Sequence, residues 1–250
     1  MGIRRKIYDI RDRLFRWNNE RYPVRGIIIN FHRVLPLEQA AKSNIAISIE
    51  QFKDVLSWIA GTGQAKSIEH LCEGGIFITF DDGYEDVYEY AYPILKELQI
   101  PFTVFMITST IERKIPEYIW GEKLRNLIDE PLCTIGSHTE SHLKLRDRSR
   151  RQAWSELCES KAYLEKILEQ KISYLAFPQG SSHAFRLRDV RLAKKAGYCN
   201  NFLTMSTFLT DWGINHPYMV PRYSIYKDNM HKAKEDILRV VEVLDDKQSE

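Results

Sequence analysis

Two aspartates stand side by side at Asp81 and Asp82, directly behind the apolar run Ile76–Phe80 and directly before Gly83. Adjacent carboxylates repel, so such a pair at a strand end is costly unless a cation or hydrogen bonds compensate. Gly83 permits the tight turn that lets both side chains face one pocket. Asp-Asp-Gly is equally ordinary turn chemistry, and this segment alone leaves the choice open. A second cluster, Ser137-His138-Thr139-Glu140-Ser141-His142, follows the apolar run Leu132–Ile135 and Gly136. If it makes a helical turn, His138 and His142 fall on one face and form a partial metal site. Taken singly they read as a surface pair. Taken with Asp81 and Asp82, they become one carboxylate and two imidazoles delivered by two strand ends. One Asp and two His leave coordination positions open for water, as in a catalytic rather than a structural metal centre. A third segment, Ala176-Phe177-Pro178-Gln179-Gly180, also follows a short apolar run and by itself is only a loop.

These residues need a scaffold that brings strand ends together. Strand-length apolar runs recur at Gly26–Phe31, Ile76–Phe80, Phe102–Ile107, Leu132–Ile135, Tyr174–Phe177, Asn201–Thr204 and Met219–Val220. Helix-like stretches separate them at Ile49–Ala60, Pro93–Leu98, Trp120–Ile128, Ser149–Leu168, Phe185–Ala196 and Asn229–Leu244. Trp154, Leu157, Leu164 and Leu168 form the stripe of the longest, and Gly197 suits a C-cap. Alternation of this kind predicts parallel βα units whose strands are covered on both faces, in a barrel or a doubly wound sheet. In such folds active sites collect at the carboxyl ends of the strands, where all three segments lie.

The chain of 250 residues is 44% hydrophobic, enough for one sizeable core, and its net charge of +2 gives no global argument for a nucleic-acid partner. The basic excess is local: residues 1–25 hold eight Lys/Arg against Asp9, Asp12 and Glu20. Ile3, Ile7, Ile10, Leu14 and Trp17 recur there at helical spacing, with arginines on the other faces. Two readings stay open for residues 1–22: a helix that caps the main domain, or one lying on an anionic membrane surface as a peripheral contact. Residues 23–245 are expected to form the main domain and 246–250 a frayed tail. Cys72, Cys133, Cys158 and Cys199 form no CxxC pair and are expected to be reduced, partly buried thiols. No apolar h-region, myristoylation pattern or spanning run is visible, so a cytoplasmic protein is expected, at most peripheral at the inner membrane surface. Oligomeric state is not legible.

The ordered set TFDDG (Thr79–Gly83), HTESH (His138–His142) and AFPQG (Ala176–Gly180) resembles the polysaccharide deacetylases, the NodB-homology proteins of carbohydrate esterase family 4. TFDDG followed about 55 residues later by a His-Thr/Ser-x-x-His motif is a specific pairing. The resemblance spans roughly Arg25 to Tyr226. It implies an α/β fold, a distorted (β/α) barrel of seven or eight strands, TIM-like. It implies metal-dependent hydrolysis of the acetamide of an N-acetylated sugar, whether glycan, lipid-linked or nucleotide-linked. Carried over by position, Asp81 matches the catalytic base, and Asp82, His138 and His142 the ligands of a divalent metal. Zinc suits this mixed nitrogen and oxygen set best, and cobalt, nickel or manganese would also fit. The backbone amide of Gln179 matches an oxyanion donor.

Two departures matter. The third motif here has no arginine to orient the base, and Arg222, in Val220-Pro221-Arg222-Tyr223, is the expected substitute. No late Leu-x-His supplies a general acid. His32, in Asn30-Phe31-His32-Arg33, is the leading candidate, as in the branch acting on poly-N-acetylglucosamine, and His216 is the alternative. His70, His183 and His231 have no motif support. Tyr84, Trp120 and Trp212 are candidates for stacking on sugar rings. Two rival readings are hydrolysis of a non-sugar amide such as a cyclic ureide, and a non-catalytic relative that binds glycan or metal.

Overall fold

A computed structural model describes residues 3–248, with side chains from 10 to 246. Seven parallel strands form a closed barrel: β1 (Val24–Phe31), β2 (Gly75–Phe80), β3 (Phe102–Met106), β4 (Cys133–Ser137), β5 (Tyr174–Ala176), β6 (Asn200–Thr204) and β7 (Val220–Ser224). Neighbours in the chain are neighbours in the barrel, and β7 closes onto β1 through Ile29↔Tyr223 and Asn30↔Ser224. The barrel is distorted at one seam, where β4 and β5 meet through the single pair Ser137↔Leu175. An eighth, antiparallel strand, Leu209–Thr210, pairs with the start of β1. A two-stranded sheet, Arg33–Leu35 with Ala46–Ser48, lies outside the barrel.

The strands read as continuous apolar runs because both of their faces are covered. Their alternate residues part into two groups. Ile27, Ile29, Phe31, Ile76, Ile78, Phe80 and Val104 pack outward among the helices. Ile28, Phe77, Phe105, Ala176, Phe202 and Val220 pack together in the barrel interior. The interior is therefore plugged by side chains, and polar residues of the same inward rows can sit only above that plug.

The helices follow the expected stretches, with adjusted ends. Ser48 and Ser149 start the helices Ile49–Thr62 and Arg150–Leu168 with capping boxes. In the second, Ala153, Glu156, Leu157, Ser160, Leu164 and Leu168 are buried, whereas Trp154 sits at the edge beneath Lys195. The helix after β5 spans Leu187–Lys195, and Gly197 follows it with a positive φ of 89°. The last helix, Met230–Gln248, runs on through 246–248, where a frayed tail was expected. Residues 249 and 250 lie outside the described residues.

The chain opens with the helix Ile3–Asn19, as its spacing predicts. The expected stripe, however, does not cap the domain: Ile10, Leu14 and Trp17 face solvent, and the side chains of Ile3 and Ile7 lie outside the described residues. All four cysteines are free; Cys133 and Cys158 are half-buried, while Cys72 and Cys199 are exposed. Among the described residues no helix is long and apolar enough to cross a membrane.

Candidate active site

Above the apolar plug lies a buried polar layer built from β1, β2 and β7. The strand Met219–Val220 expected from sequence extends to Ser224, which puts Arg222 inside the barrel with no exposure. Its guanidinium rests over the Phe105 ring, 5.1 Å from the centroid. It grips Asp81 in a two-pronged ion pair, Nη1 to Oδ1 at 2.7 Å and Nη2 to Oδ2 at 2.8 Å. Asn30 completes the layer, donating from Nδ2 to Asp81 Oδ2 at 3.0 Å and accepting from Arg222 Nη1 at 2.9 Å. Thr79 Oγ1 accepts from the same nitrogen at 3.3 Å and donates to the Ile29 carbonyl at 2.9 Å. Burial by itself would raise the Asp81 pKa, but Arg222 above all, with His138 and His32, holds it well below the usual carboxylate range.

Asp82 turns the other way. Its φ of 73° and the 77° of Gly83 make a sharp left-handed corner directly after β2. A Cβ on Gly83 would fall 2.7 Å from Met106 Sδ, so a side chain there would push the Met106 thioether aside as well as strain the backbone. The turn points Asp82 toward His138, whose Nε2 lies 3.4 Å from Oδ1, and His142, whose Nε2 lies 3.2 Å from the same atom. One ligand atom from each of the three fits within 4.8 Å of the others. The histidines do not meet through a helical turn as the sequence spacing suggested. Residues 138–142 are irregular, with left-handed φ at Thr139 (67°) and His142 (57°). Hydrogen bonds pin this loop. Thr108 N–H and Ser109 N–H donate to the carbonyls of Thr139 and Glu140, and Ser141 N–H donates to Glu156 at 2.9 Å.

This donor set fits a divalent metal. Asp82 Oδ1 and His138 Nε2 are buried and lack a hydrogen-bond partner, which is costly unless a cation takes both. His138 Nδ1 donates to the Ala176 carbonyl at 2.9 Å, fixing the tautomer that leaves Nε2 free to ligate. Burial pushes the His138 pKa down to about 3 and lowers that of His142, so both imidazoles are neutral and ready to bind. Burial likewise raises Asp82 to about 6, aided by the charge of Asp81 and opposed by His32.

The structure brings His32 to this centre: Nε2 stands 4.0 Å from Asp81 Oδ2, and the ring lies beside Tyr226. His216 goes elsewhere. It precedes β7, stacks on Trp212 at 4.3 Å and bonds the Trp212 carbonyl. The adjoining Asp211 pairs with Arg25 at the start of β1, so this segment sits at the amino-terminal mouth, opposite the site. The same placement removes Trp212, which also packs against Phe15, as a sugar-stacking candidate. Tyr84 and Trp120 stay near the site. Tyr84 stacks on Tyr118 at 4.8 Å, and Ile119 N–H donates to the Gly83 carbonyl. Trp120 is 36% exposed. Gln179 is exposed in the loop after β5 with a φ of 60°. Its amide N–H has no acceptor among the described residues.

Three supporting residues escaped the sequence reading. Asn30 bridges Asp81 and Arg222. Glu156 holds the loop that carries His142; it lies on the buried face of its helix beside Leu157 and Ser160, and nothing in the sequence marked its role. Asp86, also buried, takes Arg33 Nε at 2.7 Å and Val34 N–H at 2.9 Å, fixing the chain beyond His32.

A closed parallel barrel with an Asp-His-His cluster at its carboxyl rim defines the class. Residues 69–200, more than half of the chain, match the polysaccharide deacetylase family. The chain belongs to that family. YxkH of Bacillus subtilis (strain 168), named among the polysaccharide deacetylases, is 26% identical over 196 residues, covering 73% of this chain and 65% of that protein. The poly-beta-1,6-N-acetyl-D-glucosamine N-deacetylase of Staphylococcus aureus (strain N315) is 26% identical over 206 residues, covering 74% of this chain and 69% of that one. The chain thus spans about two thirds of the length of these relatives. Among solved structures, the Streptococcus pyogenes deacetylase PplD superposes with a TM-score of 0.75 at 22% identity, covering 88% of this chain and 99% of that one. IcaB from Ammonifex degensii gives 0.69 at 23% identity, covering 85% and 96%. Both have the same fold as this chain.

Proposed function

We propose that this protein is a metal-dependent N-deacetylase that hydrolyses the acetamide of an N-acetylglucosamine polymer, releasing acetate and a free amine. The observation that carries the reading is the pair of buried, unpartnered ligand atoms, Asp82 Oδ1 and His138 Nε2, beside an ionised carboxylate gripped by Arg222. The name of the Staphylococcus aureus relative supports the substrate class.

Asp82, His138 and His142 would hold the metal, with zinc the best match to their donor atoms. When bound there, such an ion polarises an acyl carbonyl and acidifies water. Asp81 stays ionised at any working pH and accepts the proton of the attacking water. Arg222 and Asn30 keep both of its oxygens in place. The free N–H of Gln179 donates to the developing oxyanion, a contact worth about 3 kcal/mol in comparable sites. His32 Nε2 gives a proton to the departing amine, which an imidazole can do near neutral pH.

The direct test is acetate release from β-1,6-linked N-acetylglucosamine oligomers by the purified, zinc-loaded protein, with Asp82→Ala as control. Release that stops on chelation and returns with metal is expected. Release unchanged by chelation, or none from any N-acetylated glycan, overturns the proposal.

A further inference from the structure

The helix Ile3–Asn19 has two opposite faces, and only one of them holds it to the barrel. Phe15 meets Trp212 edge-on at 5.2 Å, and Asp12 accepts from Ser182 N–H at 3.0 Å. Asn19, fully buried, donates to the Phe208 carbonyl at 2.8 Å and accepts from Thr210 Oγ1 at 2.7 Å. At about 100° per residue these anchors stand roughly 140–200° round the helix from Ile10. Ile10, Leu14 and Trp17 share an arc of about 60° on the far side. They are 54%, 56% and 59% exposed. A helix that used its apolar stripe to cap the domain would bury it; this one is pinned by its other face and turns the stripe outward.

Cations frame the stripe. Arg11 and Arg13 flank it, both exposed, and the Arg21 guanidinium lies over the Trp17 ring at 4.8 Å. The sequence ahead adds Arg4, Arg5 and Lys6 against Asp9. The two acids nearby are already engaged, Asp12 by Ser182 and Glu20 by the Thr207 hydroxyl. A cavity of about 540 Å³ lies on the other, barrel-facing side of the helix, lined there by Arg11, Asp12 and Phe15 and across from them by Arg186 and the 61%-exposed Leu187.

We propose that this face docks on the surface of an anionic phospholipid bilayer. Ile10, Leu14 and Trp17 would enter the boundary between headgroups and acyl chains, and the arginines would meet lipid phosphates. Charge complementarity selects this occupant. A second copy docked face to face would set two arginine-rich surfaces against each other, and like charges across an interface are costly. The placement is independent of the catalytic reading.

The test is co-sedimentation of the full chain with phosphatidylglycerol/phosphatidylcholine vesicles and with phosphatidylcholine alone. Wild type should bind the anionic vesicles and lose binding as salt is raised. The double variant Leu14→Asp/Trp17→Asp should bind at least about ten-fold more weakly. Arg11→Glu/Arg13→Glu should lose the preference for anionic lipid. Both variants should keep wild-type circular dichroism, melting temperature and acetate release from a soluble oligomer. Absence of wild-type binding, or equal binding by Leu14→Asp/Trp17→Asp, overturns the proposal. So does a dimer in sedimentation velocity that this variant breaks, which would assign the face to a second copy.

Discussion

Replacing Asp81 with Asn should separate stability from catalysis in a way that tests the site's architecture. The pair is among the most buried in the protein: Arg222 is fully buried and Asp81 is 2% exposed. Asp81→Asn removes the negative charge and leaves the guanidinium facing only neutral acceptors on this side, Asn30 Oδ1 and Thr79 Oγ1. Stranding one member of a buried ion pair typically costs about 3–5 kcal/mol. For a chain of this size that corresponds to a melting temperature lower by roughly 6–20 °C. Removing both charges should be milder than removing one. Arg222→Met keeps an aliphatic arm over Phe105, so Asp81→Asn/Arg222→Met should recover most of the loss, to within about 1–2 kcal/mol of wild type. Neither variant should release acetate. The assays are thermal and urea denaturation of the four proteins of the cycle, alongside acetate release. Two outcomes would show that Asp81 and Arg222 are not a coupled buried pair: Asp81→Asn melting within about 2 °C of wild type, or Arg222→Met costing as much in the Asp81→Asn background as in the wild type. If Asp81→Asn turns over at the wild-type rate, Asp81 is not the base.

The candidate metal centre yields three further expectations. Asp82→Ala and His138→Ala should each bring zinc content, measured by plasma mass spectrometry, from near one per chain to near zero, whereas Asp81→Asn should retain its zinc. Zinc uptake should also depend on pH in one direction. Without a metal, burial raises Asp82 from its ordinary 3.8 to about 6, so its ligating carboxylate form is lost as pH falls through about 6. His138, pushed down to about 3, adds no proton competition in that range. Zinc affinity measured by competition with a chelator should therefore fall below about pH 6 and level off above it; a midpoint near 4 would contradict the burial argument. Finally, Gly83→Ala should impair folding and zinc binding together, because a φ of 77° strains any residue with a side chain and the added methyl group would displace the Met106 thioether. A variant with normal melting and zinc content would show that the corner tolerates a side chain.

Much of the site was written locally. Each of the three motifs lies just past a strand-length apolar run, and parallel βα units deliver such positions to one rim. That one carboxylate and two imidazoles would meet followed from residue type and from that common placement, whereas the separate parts expected of Asp81 and Asp82 came from the family resemblance. The seven strands were legible for a related reason: a strand covered on both faces carries a short apolar run, even where polar residues such as Asn30, Thr79 and Arg222 take inward positions. Other features depended on contacts that spacing does not encode. Arg222 reaches Asp81 across 141 residues, because β7 closes the barrel against β1 and extends past the apolar run that announced it. His32 and His216 were both candidates in sequence; His32 follows the apolar run of β1 and His216 precedes that of β7, and the closed parallel barrel turns that difference into opposite mouths. His138 and His142 meet through left-handed turns, a backbone conformation that periodicity does not reveal. The N-terminal helix was predicted, but which face it would bury was decided by Phe15, Asp12 and Asn19 finding partners in distant loops. Periodicity measures how apolar a face is, and only the packed neighbours determine whether that face is covered.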